Sequence, residues 1–281
     1  MPTFLEKLDA ACAAARSLVC VGLDPDPALM PLQDVFAFNK AIVDATQDLA
    51  CAYKPNLAFY EALGLPGWRA LEQTIAHIRR AAPKAIVIGD AKRGDIGSTS
   101  EAYAKALFQV WGLDAATVNA YGGKDSIEPF LSYADKGVLI WCRSSNPGAR
   151  DFQDLVVSQA GEGAAIPRPF YEAVAERAMS WNDKGNVGLV LGATYPTEIR
   201  RVRKLCPGLP FLLPGTGAQE GALEQAVRFG VDAAGRRAII NSSRGVIYAS
   251  KGRDFPEAAR RAATQLRDAI NAALAVEGKG W

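Results

Sequence analysis

Residues 85–95 read Ala-Ile-Val-Ile-Gly-Asp-Ala-Lys-Arg-Gly-Asp, an apolar run that passes directly into a charged one. The β-branched run from Ala85 to Gly89 predicts a short strand, and the segment from Ser100 to Trp111 has helical periodicity. A strand followed by an amphipathic helix is the repeating unit of a parallel α/β fold. The charged residues of this stretch therefore leave the predicted strand at its carboxyl end.

The same pairing of an apolar run with a helical segment recurs along the chain. The strand candidates are Leu18 to Leu23, Ala52 to Lys54, Ala85 to Gly89, Ala116 to Asn119, Val138 to Cys142, Val187 to Leu191, Phe211 to Leu213 and Ala238 to Asn241. The helix candidates are Leu32 to Leu49, Trp68 to Ala82, Ser100 to Trp111, Ser126 to Asp135, Pro169 to Asp183, Thr197 to Leu205, Glu220 to Phe229 and Pro256 to Ala275. Eight such units in 281 residues favour a closed (β/α)8 TIM barrel over an open doubly wound sheet.

The remaining segments add little to this plan. Phe4 to Arg16 predicts an extra helix ahead of the first strand, and no linker-like stretch divides the rest. We therefore expect residues 1–281 to form a single barrel domain. The polar, glycine-rich segment from Arg143 to Arg168 is too long for a routine loop, so we expect either a functional lid or a mobile insertion.

Composition limits the possible partners. The chain has 32 Lys and Arg against 30 Asp and Glu, and it lacks a long basic run, which argues against nucleic acid or a membrane surface as a partner. No stretch approaches about 18 consecutive apolar residues, and the N-terminal residues are charged where a secretory signal would be apolar. We therefore expect a cytoplasmic protein that acts on a small molecule.

Histidine and cysteine content narrows the chemistry. The only histidine is His77, in a predicted helix, which argues against a Ser-His-Asp triad or a multi-histidine metal site. The five cysteines are odd in number and form no C-x-x-C motif, so we expect them to be small buried side chains. Chemistry in this chain must then use carboxylates, amines, hydroxyls or backbone groups.

The residues that leave the predicted strands are unusually charged. In a (β/α)8 barrel these positions face the active site, and Asp90 and Lys92, two apart, point to the same face of their strand. Gly94 can bend the chain so that Asp95 returns toward the amine. Two close carboxylates would hold Lys92 as an ammonium, which can donate a proton or neutralise a carbanion. The alternative is a salt-bridge cluster in a surface loop, which Asp24 and Lys54 at neighbouring strand ends make less attractive.

A second cluster follows the last two predicted strands. Residues 214–219 read Pro-Gly-Thr-Gly-Ala-Gln, and residues 241–245 read Asn-Ser-Ser-Arg-Gly. Glycines let backbone N–H groups approach an anion, Arg244 supplies a fork of donors, and these loops often hold phosphate in such barrels. The pattern predicts a phosphorylated substrate, although the glycines alone could equally serve tight turns.

These motifs together match a known family. They are Leu23-Asp24-Pro25, Lys54-Pro55-Asn56, the run from Asp90 to Thr99, Thr117-Val118-Asn119, the run from Pro214 to Gln219, and Ser242-Ser243-Arg244-Gly245. In this order the sequence resembles the orotidine 5′-phosphate decarboxylase family, in particular its longer bacterial subfamily. The resemblance implies a barrel that converts orotidine 5′-phosphate to UMP and CO₂ in pyrimidine biosynthesis, with no cofactor and no metal.

The resemblance also implies roles for individual residues. Lys92 resembles the proton donor, and Lys54, Asp90 and Asp95 resemble the rest of its charged network. The family is homodimeric, and Asp95 would serve the site of the partner subunit. The implied substrate contacts lie in the matched motifs and are Asp24, Asn56, Thr99, Asn119, Ser145, Gly217, Gln219 and Arg244.

Within that set, Asp24, Lys54 and Thr99 are expected near the ribose, and Gln219 and Arg244 at the phosphate. Ser145 is expected at the pyrimidine amide, and the adjacent Ser144 leaves open which serine makes this contact.

Two alternatives compete with this function. Sister barrels such as 3-keto-L-gulonate-6-phosphate decarboxylase and hexulose-phosphate synthase share the D-x-K-x-x-D core but use Mg²⁺ and an additional acidic ligand. Ile96, Thr99 and the Lys54-Pro55-Asn56 motif favour the orotidylate enzyme. A barrel that only binds a phosphorylated metabolite would leave its four charged core residues without a purpose.

Overall fold

The computed structural model describes residues 1–158, 167–215 and 220–281. The barrel strands are β1 (Val19–Leu23), β2 (Ala52–Pro55), β3 (Ile86–Arg93), β4 (Ala115–Val118), β5 (Gly137–Arg143), β8 (Val187–Leu191), β9 (Phe211–Pro214) and β10 (Ala238–Ser242). They close in the order β1-β10-β9-β8-β5-β4-β3-β2, and each neighbouring pair is parallel. The predicted (β/α)8 barrel is confirmed.

Helices surround this barrel and follow its strands. They are α1 (Phe4–Ala15), α2 (Val35–Thr46), α3 (Leu57–Glu61), α4 (Gly64–Ala81), α5 (Gly97–Lys105), α6 (Glu128–Leu131), α7 (Arg150–Gln153), α8 (Phe170–Ser180), α9 (Pro196–Leu205), α10 (Glu220–Gly230), α11 (Arg244–Ile247) and α12 (Phe255–Val276). A π-helical turn at Ala106–Val110 continues α5. Within the described ranges no helix is long and apolar enough to cross a membrane.

The predicted extra helix is α1. Thr3 and Glu6 form a capping box that starts it, because each side chain accepts a hydrogen bond from the backbone N–H of the other residue. The ring of Phe4 packs against the backbone of Gly137 at the start of β5. Lys7 pairs with Asp135 at 3.0 Å just before that strand. These contacts fix α1 across the amino end of the barrel, away from the carboxyl ends where the site lies.

Several elements differ from their predicted bounds, among them the helix after β4 and strand β3. The helix expected from Ser126 to Asp135 contracts to the four residues of α6, and at its amino end the hydroxyl of Ser126 donates to the carbonyl of Gly123 in a turn. Strand β3 runs four residues beyond its predicted end, since Arg93 pairs with Val118 of β4 after a shift in register. Asp90 and Lys92 therefore belong to the strand itself.

The described part of the segment from Arg143 to Arg168 contains small elements. A 3₁₀ turn (Pro147–Ala149) leads into α7, and an antiparallel pair joins β6 (Val156–Val157) to β7 (Arg168–Pro169). Residues 159–166 lie outside the described part of the chain, so the hypothesis of a lid or mobile insertion stays untested.

Candidate active site

A chain of three charged side chains crosses the mouth of the barrel from β2 to β3. The carboxylate of Asp90 accepts hydrogen bonds through Oδ2 from Lys54 Nζ at 2.7 Å and through Oδ1 from Lys92 Nζ at 2.6 Å. The side chains of Lys54 and Asp90 are only 4% and 12% exposed, whereas that of Lys92 is 42% exposed. One amine is thus enclosed, and the other remains accessible to a ligand.

Thr117 of β4 completes this cluster. Its hydroxyl donates to Asp90 Oδ1 at 3.0 Å and accepts from the backbone N–H groups of Ala91 and Lys92, each at 3.0 Å. Sequence reasoning gave Thr117 no role of its own. Its position two residues before Asn119, on the same face of β4, is the signal that could have identified it.

The backbone at Lys92 is unusual. Its φ of 49° lies in the left-handed region, which is costly for a lysine and is found mainly where the surrounding structure enforces it. The N–H of Asn119 donates to the carbonyl of Arg93 at 2.8 Å, and a Cβ at Gly94 would lie 2.0 Å from the carbonyl oxygen of Asn119. The close approach of the loops after β3 and β4 therefore requires glycine at 94 and turns Lys92 into the mouth of the barrel.

Mutual stabilisation keeps the buried pair ionised. Burial by itself would raise the pKa of Asp90, but the charges of Lys54 and Lys92 hold it well below its ordinary value of 3.8. Burial would likewise lower the pKa of Lys54, yet Asp90 and, more weakly, Asp24 raise it above its ordinary value of 10.5. At neutral pH the centre is a carboxylate between two amines, of which Lys54 is an ammonium.

Asp95 departs from the position expected from its spacing. Its side chain is exposed, and its Oδ1 accepts a hydrogen bond from the N–H of Ile96 at 2.7 Å. Across the described residues the ion pairs of the cluster join Asp90 to Lys54 and Lys92, and none includes Asp95. The prediction that Asp95 returns toward the Lys92 amine within one chain is therefore wrong. The N–H of Asp95 donates to the hydroxyl of Ser100, and its side chain faces outward.

The ribose candidates lie around the same mouth. Asp24 follows β1, and its buried Oδ1 has no hydrogen-bond partner among the described residues. The hydroxyl of Tyr248 donates to the carbonyl of Asp24 at 2.9 Å and accepts from the N–H of Asp26 at 2.6 Å, which fixes this loop. Asn56 forms a β-bridge with Asp90. Thr99 lies in the first turn of α5 and is partly buried.

The other candidates lie on the opposite side of the mouth. Ser145 is exposed and packs against Gly192, the residue after β8. A Cβ added at Gly192 would lie 2.8 Å from the backbone nitrogen of Ser145. The hydroxyl of Ser144 donates instead to Asn146. Arg244 is exposed in the first turn of α11, directly after β10. Gly217 and Gln219 fall outside the described residues.

The charged cluster is separate from a large cavity in the described structure. That cavity, of about 970 Å³, lies between the end of β5, α7 and α8 and is lined by aromatic side chains such as Trp141, Phe170 and Trp181. The described chain holds no group of three His, Cys, Asp or Glu side chains arranged for a metal ion. All five cysteines are free and buried, as expected.

Barrel topology and an acid–amine centre at the carboxyl ends of β2, β3 and β4 define a (β/α)8-barrel protein with its functional groups at the catalytic face. A family model described as orotidine 5′-phosphate decarboxylase / HUMPS family matches residues 17–262. The chain belongs to this family.

Individual relatives agree over nearly the full length. Orotidine 5′-phosphate decarboxylase of Roseiflexus castenholzii is 51% identical over 278 residues, which cover 96% of this chain and 98% of the relative. That of Dehalococcoides mccartyi strain 195 is 49% identical, with 95% and 97% covered. The solved structure of Leishmania donovani OMP decarboxylase superposes with a TM-score of 0.82 at 41% identity, covering 97% of this chain and 98% of that one.

Proposed function

We propose that this chain is a carboxy-lyase that converts orotidine 5′-phosphate to UMP and CO₂ in cytoplasmic pyrimidine nucleotide synthesis. The observation that carries the proposal is the Lys54–Asp90–Lys92 chain, in which an ionised carboxylate holds an accessible amine at the barrel mouth. The names of relatives about half identical over nearly the whole chain support the same substrate.

In this proposal, groups on the two sides of the mouth bind different parts of the substrate. Arg244, with Gln219 and Gly217 of the preceding loop, takes the 5′-phosphate, and Ser145 takes the amide edge of the pyrimidine. The ribose contacts are assigned to the remaining polar residues, which are Asp24, Lys54, Asn56, Thr99 and Asn119. Binding energy gained at the phosphate and ribose then holds the reacting ring in place, so that remote contacts favour the chemical step.

The chemical step uses Lys92. The bond between C6 and the carboxylate breaks, CO₂ leaves, and the electron pair remains on C6. The ammonium of Lys92 stabilises this carbanion and transfers its proton to C6, after which the neutral amine takes a proton from water. Unit charges about 4 Å apart attract by about 4 kcal/mol at an effective dielectric of 20, a substantial part of a barrier but not all of it.

A homodimer with Asp95 contributed across the interface is part of the proposal. The outward, exposed position of Asp95 supports it, since its carboxylate is available to a second copy. Mixing inactive Lys92→Ala and Asp95→Asn chains then leaves one intact site in each mixed dimer, so about a quarter of the wild-type activity returns. No recovery in subunits shown to exchange would contradict this part of the proposal.

The function itself is tested by following the orotidylate absorbance with purified protein in excess EDTA. We expect full turnover, because all the proposed chemistry uses side chains of the protein. Activity on a sugar phosphate that depends on added Mg²⁺, with none on orotidylate, would favour the sister enzymes. Binding of UMP without any loss of orotidylate would favour a binding protein.

A further inference from the structure

Arg143, the last residue of β5, is a buried cation at the barrel mouth. Its side chain is 1% exposed, and its guanidinium lies 4.1 Å from the ring centroid of Tyr195, at the start of α9. One terminal nitrogen is 3.2 Å from Asp154 Oδ1, and the other donates to the carbonyl of Ser144 at 3.2 Å. Burying a guanidinium is costly, so its contacts must offset the lost hydration.

Gln153, the last residue of α7, joins this cation to the serine pair. Its Oε1 accepts hydrogen bonds from the N–H of Ser144 at 2.8 Å and from Arg143 at 3.2 Å. A single side-chain oxygen therefore fixes both the backbone of Ser144 and the orientation of the guanidinium. Since α7 has only four residues, its position depends on such tertiary contacts.

The serine next in the chain has little room to move. Ser145 packs against Gly192, whose N–H donates to the carbonyl of Arg143 at 2.8 Å, and its Cβ is 3.8 Å from the position of a Cβ on Gly215. The backbone of Ser144 and Ser145 is thus held from one side by Gln153 and from the other by the strand ends of β8 and β9.

We propose that Arg143, Gln153 and Asp154 form a clamp that positions Ser145 for the pyrimidine, and that Gln153 is a positioning residue for recognition of the base. This inference rests on the proposed function, because it assigns Ser145 to the base. In this role Gln153 acts through the protein, by holding the Ser144 N–H. Loss of the clamp therefore weakens base-dependent binding and leaves phosphate and ribose contacts intact.

The test is the Gln153→Leu variant, which keeps the shape of the side chain and removes the acceptor. We expect kcat/KM for orotidylate to fall about 10- to 100-fold and inhibition by UMP to weaken about tenfold. Inhibition by ribose 5-phosphate, which lacks the base, should stay within about twofold. Gln153→Glu retains an acceptor at the same place and should recover part of the loss.

Asp151→Ala provides the matched control, because Asp151 lies in the same short helix, is exposed and takes no part in the clamp. It should behave as the wild type in all three measurements. Thermal unfolding of each variant separates a local effect from global loss of structure, and Arg143→Lys supplies a second, independent disruption of the clamp.

Equal weakening of UMP and ribose 5-phosphate in Gln153→Leu would overturn the inference, as would unchanged kcat/KM in a folded variant. Failure of the proposed function has a different signature. In that case the wild-type protein itself would not consume orotidylate.

Discussion

Lys92 and Arg143 are two cations at the same end of the barrel with opposite environments. Each lies at a shift in strand register, which falls between Gly89 and Arg93 in β3 and between Trp141 and Arg143 in β5. Lys92 is 42% exposed and is held by Asp90, whereas Arg143 is 1% exposed and bound to four neighbouring groups. An accessible cation can meet a substrate, and an enclosed one can only hold the protein around it.

The largest expected effect is the loss of the accessible cation. Lys92→Ala should lower kcat about 10⁴-fold or more, because it removes both the proton donor and the charge that stabilises the carbanion. Its free energy of unfolding should change by less than about 1 kcal/mol, since the ion pair is partly exposed. Steady-state kinetics and urea unfolding measure the two effects.

Lys84→Ala is the control for that variant. Lys84 is exposed and lies just before β3, at the opposite end of the same strand. If Lys92→Ala had the same kcat as Lys84→Ala, Lys92 would have no catalytic role and would be a structural cation like Arg143.

Lys54, the enclosed lysine of the cluster, is a buried cation like Arg143 and should contribute to the stability of the fold. Lys54→Met leaves the carboxylate of Asp90 buried with only a partly exposed partner, so the free energy of unfolding should fall by about 3–5 kcal/mol. Chemical unfolding at pH 7 measures this loss. A change below about 1 kcal/mol would mean that Lys54 is hydrated in solution.

A smaller effect should follow from crowding the clamped serine. A Cβ at Gly192 would lie within 2.9 Å of Ser145, so Gly192→Ala should displace the serine and lower kcat/KM about tenfold. Gly208→Ala is the control, because a Cβ there meets nothing within 4 Å. Normal kinetics in Gly192→Ala would show that the position of Ser145 does not matter for turnover.

The smallest effect concerns acid stability. The pKa of Asp90 is lowered in the folded protein. Its stabilising contribution is therefore fully present above pH 3.8 and is lost as the pH falls toward the pKa of the folded state. The advantage of the wild type over Asp90→Asn should therefore shrink by about 1 kcal/mol between pH 5 and pH 3. Urea unfolding at both pH values measures it, and a constant difference would contradict the lowered pKa.

Above neutral pH the sign is reversed for Lys54. Its pKa is raised in the folded protein, so its contribution is complete below 10.5 and is lost as the pH rises through the folded value. The cluster should thus stabilise the fold most between about pH 4 and pH 10.

The sequence predicts the fold best where the hydrophobic pattern is clear. All eight barrel strands overlap their predicted runs, because each run is short, apolar and flanked by polar residues. Placement of the whole chain in a single domain stays a prediction, although strands from Val19 to Ser242 close one barrel. The roles of the substrate-contact residues, including Gly217 and Gln219, also stay predictions.

What the sequence did not reveal depends on tertiary contacts. The hydroxyl of Thr117 meets Asp90 only because β3 and β4 are neighbours in the barrel. Arg143 is enclosed by residues at the end of α7, which folds back over it, and by the ring of Tyr195, 52 positions later in the chain. The outward turn of Asp95 follows from Ser100, which no spacing rule anticipates.

The central claim is that the Lys92 amine exchanges a proton with C6 of the pyrimidine. A proton that Lys92 gives to C6 can be removed along the same path, so the protein should exchange the C6 hydrogen of UMP in D₂O. Proton NMR of UMP should show the H6 signal decaying with the wild type and persisting, as in buffer alone, with Lys92→Ala. Equal decay with both proteins would contradict the claim.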